Sequence, residues 1–420
     1  MKIGIIGSGI SGLTAAYYLC REHQIEVFEA NGYIGGHTNT IDVERNGTRY
    51  AVDTGFIVFN DRTYPGFCQL MDEIGVPSRP TGMTFSVRND QTGLEYRGAD
   101  LNGLFAQRRN LFRPHHYALL KEMLRFNRSS ESLLANQPDS LTVNAFFERH
   151  PFSQNFLTNF FFPMASAIWS CPPETIGSFP IQFIVEFYRH HGLLSVTNRP
   201  QWRTIVGGSK QYIAPLTKRF FDNIHLNRPI HSVVRSDRVL HVSEMGGQVH
   251  DFDHLIFACH SDQALKILGT SATATEREIL SKFPYEKNHA CLHTDVSLLP
   301  RSRRAWAAWN YHLASPKHQN PGSAKATVTY NMNILQGIES ETTFCVSLNS
   351  QHLINPHHII REIEYDHPVF TADRRRYQQR HSELIDHQSV SYCGAYWGNG
   401  FHEDGVQSAI RVCQQLGFVY

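Results

Sequence analysis

The sequence predicts an α/β fold that opens on a Rossmann-like dinucleotide unit, and three observations near its start carry that expectation. An Ile-rich apolar run at residues 2–6 reads as a strand buried on both faces of a parallel sheet. Gly7, Gly9 and Gly12 follow in G-x-G-x-x-G spacing and lead into a helical stretch at 13–19 with Ala15 and Ala16. A second apolar run, 25–28, ends on Glu29, about 20 residues beyond the glycines.

Each part of this unit has a physical reason. Gly7 permits the tight turn, Gly9 lets backbone approach a pyrophosphate, and Gly12 lets helix and strand pack closely. Ser8, Ile10 and Ser11 complete the turn, and the phosphates are expected on the helix N-terminus, where unpaired N–H groups and the dipole favour negative charge. Glu29, followed by Ala30, is placed to accept both ribose hydroxyls. Its charge repels a 2′-phosphate, which favours FAD or NAD over NADP.

Three further glycine-rich turns point to the longer of these dinucleotides. EANGYIGGHTNT offers Gly35, Gly36, His37 and Thr38 to a phosphate or ribityl chain. AVDTGFIVF offers Thr54, Gly55 and Phe56 to the ring end. In YCGAYWGNGFHEDGVQSAIRVC, residues 391–393 read as a strand and 406–416 as a helix. Asp404 there caps that helix or bonds a ribityl hydroxyl, leaving the N–H groups of Gly405 and Val406 for an electron-rich ring edge. Any one of these glycines reads equally as a plain turn; their order along the chain is what points to a cofactor.

In this order the segments resemble the flavin amine oxidase, phytoene desaturase and protoporphyrinogen oxidase superfamily over the whole chain. The superfamily's double glycine is usually followed by arginine, which here is His37. Its middle G-G turn matches Gly207 and Gly208, its apolar adenine contact Pro229 and Ile230, its aspartate-led strand Asp253 to Ala258, and its last motif Gly394. The resemblance implies a discontinuous FAD-binding domain of residues 1–80, 198–285 and 385–420. It also implies a mixed-sheet plus helical substrate domain of residues 81–197 and 286–384. No C-terminal cysteine matches the family's flavinylation context, so FAD is expected to be non-covalent. FHEDGVQSA and AWAAWNYH resemble, more closely, bacterial FAD-binding proteins that act with cyclopropane-fatty-acid-synthase-type methyltransferases. That likeness implies a methylated acyl substrate and a methyltransferase partner.

FAD carries the redox chemistry, so the protein need only bind, orient and tune it. Where amine-oxidising relatives hold a lysine, KNHACLHTD places His289, a proton relay or simply a strand histidine, with Lys287 nearby. Tyr396, Trp397, Phe401 and His402 bracket the last turn, where they either hold an apolar substrate over the ring or pack the core. The Phe-rich stretch 156–169 reads as helical core, or as an acyl tunnel mouth or lipid-facing helix with Arg108, Arg109, Arg113 and Arg149 meeting anionic headgroups. Together these readings favour a lipid acyl desaturase or dehydrogenase; oxidation of a small amine and a non-catalytic flavin-binding accessory are the alternatives.

Other classes are disfavoured. With 39 Lys+Arg against 38 Asp+Glu, nothing in the bulk charge suits nucleic acid. The paired histidines at 115–116, 190–191 and 357–358 point apart on a helix or strand and make poor chelates, so no metal is expected. Eight scattered cysteines without a C-x-x-C pair suit reduced thiols. The opening strand leaves no room for a signal peptide, so a cytoplasmic location is expected, with peripheral contact at the inner face of the membrane as a further reading. Residues 291–295, 327–330 and 343–348 read as strands under a substrate cavity, and 316–324 as a loop.

Overall fold

The computed structural model describes residues 1–418 except 136, 139, 170, 196–198, 238, 315–326 and 372, so the loop expected at 316–324 lies outside the described residues. Five strands form a parallel sheet in the order Ile224–His225, Gln24–Phe28, Lys2–Ile6, His254–Phe257 and Val390–Tyr392. Lys2–Ile6 and His254–Phe257 are the most apolar of them because both of their faces are covered. Ile3, Ile5, Ile25, Val27 and Ile256 pack with the helices Ile10–Leu19 and His402–Gln415. Ile6, Phe28, Leu255 and Phe257 pack on the opposite face with a three-stranded antiparallel layer, Ile230–Arg235, Leu240–Glu244 and Val249–Phe252.

A second, mixed sheet runs in the order Ile359–Pro368, Tyr285–His293, Cys345–Leu348, Val328–Asn331, Trp309–Leu313, Phe85–Asn89 and Leu94–Arg97. Its pairings are antiparallel except the parallel one between Trp309–Leu313 and Phe85–Asn89. Beside it lies a helical cluster that includes Pro114–Leu134, Val143–Arg149, Phe162–Trp169 and Ile181–His190. A π-helical turn at Leu157–Phe161 leads into the third of these.

Two expectations need correction. The last helix begins at His402, not at 406, and takes Asp404 and Gly405 into its first turns. A glycine is tolerated there because Gly405 sits against the first helix: a Cβ on it would lie 2.7 Å from Ser11 Oγ and 2.9 Å from Ile10 Cγ2. The Phe-rich stretch is not lipid-facing. Phe156 and Phe161 are fully buried, and Phe160 and Trp169 nearly so, in a cluster of tilted and edge-on rings.

Candidate active site

Strand–turn–helix geometry at the N-terminus leaves bare backbone facing a cavity. Gly7 has φ +108° and donates its N–H to Phe28 O at 2.8 Å, and a Cβ on it would meet Ala258 O at 2.9 Å. Gly12 is tighter still, since its Cβ would lie 2.0 Å from Gly7 O. Gly9 differs: a Cβ there would meet nothing within 4 Å. Gly35 bridges to Gly9 in parallel, and a Cβ on Gly36, at φ +58°, would approach Gly9 Cα to 3.3 Å. The two glycine turns thus form one cradle whose open side is backbone, which is what a pyrophosphate needs.

Glu29 is held at the end of its strand by four donors. Ser8 N and Oγ reach Oε2 at 3.0 and 2.7 Å, while Asn31 N and Nδ2 both reach Oε1 at 2.9 Å. Arg228, Pro229, Ile230 and Met245 line the cavity at this same end.

The cavity has a volume of about 970 Å³, at the top of the range of small-molecule and cofactor sites, roughly 300–1,000 Å³. It runs from Gly7, Gly9, Ile10, Ser11, Glu29 and Ala30, past Gly35, Gly36, His37, Thr54, Gly55, Phe56 and Ala258, to Gly394, Tyr396, Phe401 and His402. Beyond lies an apolar wall that includes Met83, Met164, Ile168, Trp169, Phe187, Tyr330, Leu348 and Phe370. The size, the bare Gly9 cradle and the held carboxylate at one end fit FAD.

Several expected site residues lie off this cavity. Ser8 is fully buried and supports Glu29, and Gly12 is a packing glycine. Thr38 is buried against the Tyr212 hydroxyl and 3.1 Å from His402 Nε2. Asp404 accepts the Phe401 N–H at 2.9 Å, and burial pushes its carboxyl up to about 6. Gly405 N is spent on Phe401 O at 3.1 Å, so it is not free for a ring edge; Val406 is core. Trp397 faces away, stacked on His381 at 4.1 Å, whereas Tyr396 lines the cavity with a buried hydroxyl that has no partner.

His289 is the clearest correction. It stands on the outer face of Tyr285–His293, 48% exposed, with Nδ1 3.6 Å from Glu364 Oε1. Lys287, two residues earlier and on the same face, is 70% exposed and 3.5 Å from Glu364 Oε2. Neither lines the cavity; Tyr285, of the same alternation but at the start of the strand, does.

A group of rings that sequence reasoning missed lies midway along the cavity. His37 stacks on Tyr365 at 4.8 Å and lies 5.7 Å from His367 and 6.4 Å from His260; His260 stacks on Tyr285 at 4.3 Å. Burial lowers all three imidazoles, His367 to about 4, and His37 is lowered further by the other histidines. His402, stacked on Phe56 at 3.6 Å, is lowered to about 3 by burial. The site therefore replaces an arginine with a neutral imidazole in an aromatic wall. One signal was present: His260 follows the strand that ends at Phe257, on the carboxyl edge where parallel sheets bind ligands. Nothing in the sequence ties residues 365 and 367 to it.

A second cavity of about 540 Å³ shares Tyr64, His191, Asn399 and Phe401 with the first and is lined by Arg62, Arg189, His190 and Arg411. Its carboxylates are engaged: Glu403 accepts from Gly66 N, Phe67 N and Gln407 Nε2, and Asp404 from Phe401 N. Among the described residues no group of three or more His, Cys, Asp or Glu is placed to hold a metal, and no helix is long and apolar enough to cross a membrane. All eight cysteines are free thiols.

Comparison with known proteins gives this geometry a family. The chain is 24% identical over 296 residues to the flavin-containing amine oxidase A of Canis lupus familiaris, a match that spans 67% of this chain and 54% of the dog protein. Among solved structures, a redesigned putrescine oxidase superposes with a TM-score of 0.72 at 13% identity, covering 99% of this chain and 98% of that one. Cyclohexylamine oxidase from Brevibacterium oxydans does so at 0.68 and 16%, covering 99% of each. A CLA-producing fatty acid isomerase from P. acnes gives 0.64 at 15%, covering 99% and 98%. Residues 10–287 match the family described as flavin containing amine oxidoreductase, which makes the cofactor a flavin and the class of chemistry oxidoreduction. The chain belongs to the flavin-containing amine oxidoreductase family.

Proposed function

We propose that this protein is an FAD-dependent desaturase or dehydrogenase of a lipid acyl chain, with a methylated or cyclopropane-type chain supplied by a partner methyltransferase as the favoured substrate. The observation that carries the reading is the apolar wall beyond Tyr396, where Met164, Ile168, Trp169, Phe187 and Phe370 suit a hydrocarbon chain. The second cavity adds to it, because the Arg411 that lines it suits an anionic headgroup better than an ammonium ion.

FAD, when bound, accepts the hydride. The protein binds its phosphates at the Gly9–Gly36 cradle and its adenosine at Glu29 and Ile230. Phe56 and His402 form one stacked wall at the far end, and the helical cluster excludes water. The neutral His402 imidazole is fixed by Thr38 and Tyr212, its Nε2 lying 3.1 Å from the one oxygen and 3.3 Å from the other. Tyr396 lines the cavity, with its hydroxyl buried rather than open to it.

Anaerobic titration of the FAD-loaded protein with fatty acids, phospholipids and amines tests the proposal. Bleaching of the flavin band by acyl substrates alone is expected. Bleaching by amines alone establishes amine oxidation instead, and no bleaching by either points to an accessory role.

A further inference from the structure

The region outside the catalytic cavity that departs most from ordinary surface chemistry is the start of the helical cluster. Leu101, Leu111, Phe112 and Tyr117 are exposed by 74, 42, 86 and 48% of their surfaces. Single exposed apolar residues are unremarkable, but these lie on segments that are tied to one another. Tyr117 donates its hydroxyl to Leu111 O at 2.9 Å and its ring packs 5.6 Å from Phe105, the residue that ends the short helix Leu101–Leu104. Arg108 ties the same pieces together through Phe105 O at 2.9 Å and the Asn102 side chain.

Charge decides what covers this face. In a chain of net charge +1, residues 101–128 hold six Lys or Arg and one acid, Glu122, which is occupied by Ser153. The loop beside it adds exposed Arg301, Arg303 and Arg304; it is held there by Ser302 Oγ on Ala106 O at 3.4 Å and by Glu95, which accepts from Arg301 N and Ser302 N. Apolar side chains ringed by guanidinium groups match the boundary between acyl chains and anionic headgroups. A protein surface of ordinary mixed charge offers no such complement. The patch also lies on the outer side of the cluster whose Trp169 and Phe187 line the main cavity.

We infer that the segment Leu101–Tyr117 docks this protein on the surface of an anionic lipid bilayer, with Leu111 and Phe112 inserted among the acyl chains and Arg108, Arg109 and Arg113 at the headgroups. This docking does not depend on which substrate the flavin oxidises. The test is flotation of the FAD-loaded protein with phosphatidylcholine vesicles and with vesicles to which phosphatidylglycerol has been added. Binding is expected only with the anionic lipid and should weaken with salt. Phe112→Ser should weaken it roughly tenfold through lost apolar burial, and Arg108→Gln with Arg109→Gln roughly 25-fold at about 1 kcal/mol per charge. All three side chains are exposed, and the bonds lost, from Arg108 to Phe105 O and Asn102 and from Arg109 to Gly93 O, lie at the surface away from the cofactor cavity, so flavin content should match wild type and certify the fold. Equal binding to neutral vesicles, no binding to either, or anionic binding that both variants retain overturns the inference. So does concentration-dependent self-association that is lost in Phe112→Ser without any vesicle binding, which assigns the face to a protein partner.

Discussion

Two glycines of the opening turn have opposite reasons for lacking a side chain, and their alanine variants should separate binding from folding. Gly9 has φ −68° and ψ 176°, a conformation any residue adopts, and its Cβ would point into empty cavity. Gly9→Ala should therefore leave the melting temperature of the cofactor-free protein unchanged while weakening FAD binding by at least tenfold, measured by fluorescence titration. Gly12→Ala drives a Cβ into Gly7 O and should cost about 3 kcal/mol or more in denaturant unfolding with or without FAD. Glu29 makes a related point about hydrogen-bond sign. All four of its partners donate, so Glu29→Gln sets an amide N–H₂ against N–H or O–H groups. The expected loss is about 1–3 kcal/mol, alongside weaker FAD affinity; a variant as stable as wild type would refute the account.

At the level of elements, the structure shows what pattern reading resolves and where it stops. Four strands of the parallel sheet were legible because their buried faces are apolar, the two-residue edge strand Ile224–His225 was not, and the first helix was legible because its glycines obey a fixed spacing. The start of the last helix was not, because NGFHEDG has the composition of a turn, and only the packing of Gly405 on Ile10 and Ser11 explains a helix through it. Gly405→Ala should therefore push the first and last helices apart, costing about 1–3 kcal/mol and loosening FAD, checked by thermal melts and flavin retention. The outward placement of His289 was equally hidden: alternation fixes that 287 and 289 share a face but not which face is covered. His289→Ala is expected to leave flavin reduction within twofold of wild type in stopped-flow measurements, since neither cavity includes it. The histidines at 37, 260 and 367 come together only through the fold, on three segments far apart in sequence.

The whole molecule carries an unusual number of histidines held neutral in its interior, and this sets how it should respond to acid. Burial lowers His191, His254, His293, His367 and His381 to about 4, His402 to about 3, and His37 well below its ordinary value. In the unfolded chain each returns to about 6.5. Their neutral burial is therefore fully accommodated above about pH 6.5, and as pH falls toward 4 the unfolded chain binds protons that the native one refuses, which removes stability. Asp53 and Asp404 act with the opposite sign: burial raises both to about 6, so the native state takes up protons between about 6 and 4 that the unfolded chain does not. Seven imidazoles outweigh two carboxyls, and the melting temperature of the FAD-loaded protein should fall steadily from about pH 6.5 to about pH 4.5. A profile that stays flat or rises over that interval would mean that the buried imidazoles find protons in the native state, and the neutral aromatic wall at His37, His260 and His367 would have to be abandoned. Replacing His254 with Gln keeps a side chain able to bond Ser391 Oγ, now 3.0 Å from Nε2, but removes one titrating group. That variant should melt with a shallower acid slope than wild type, which ties the effect to buried imidazole rather than to net charge.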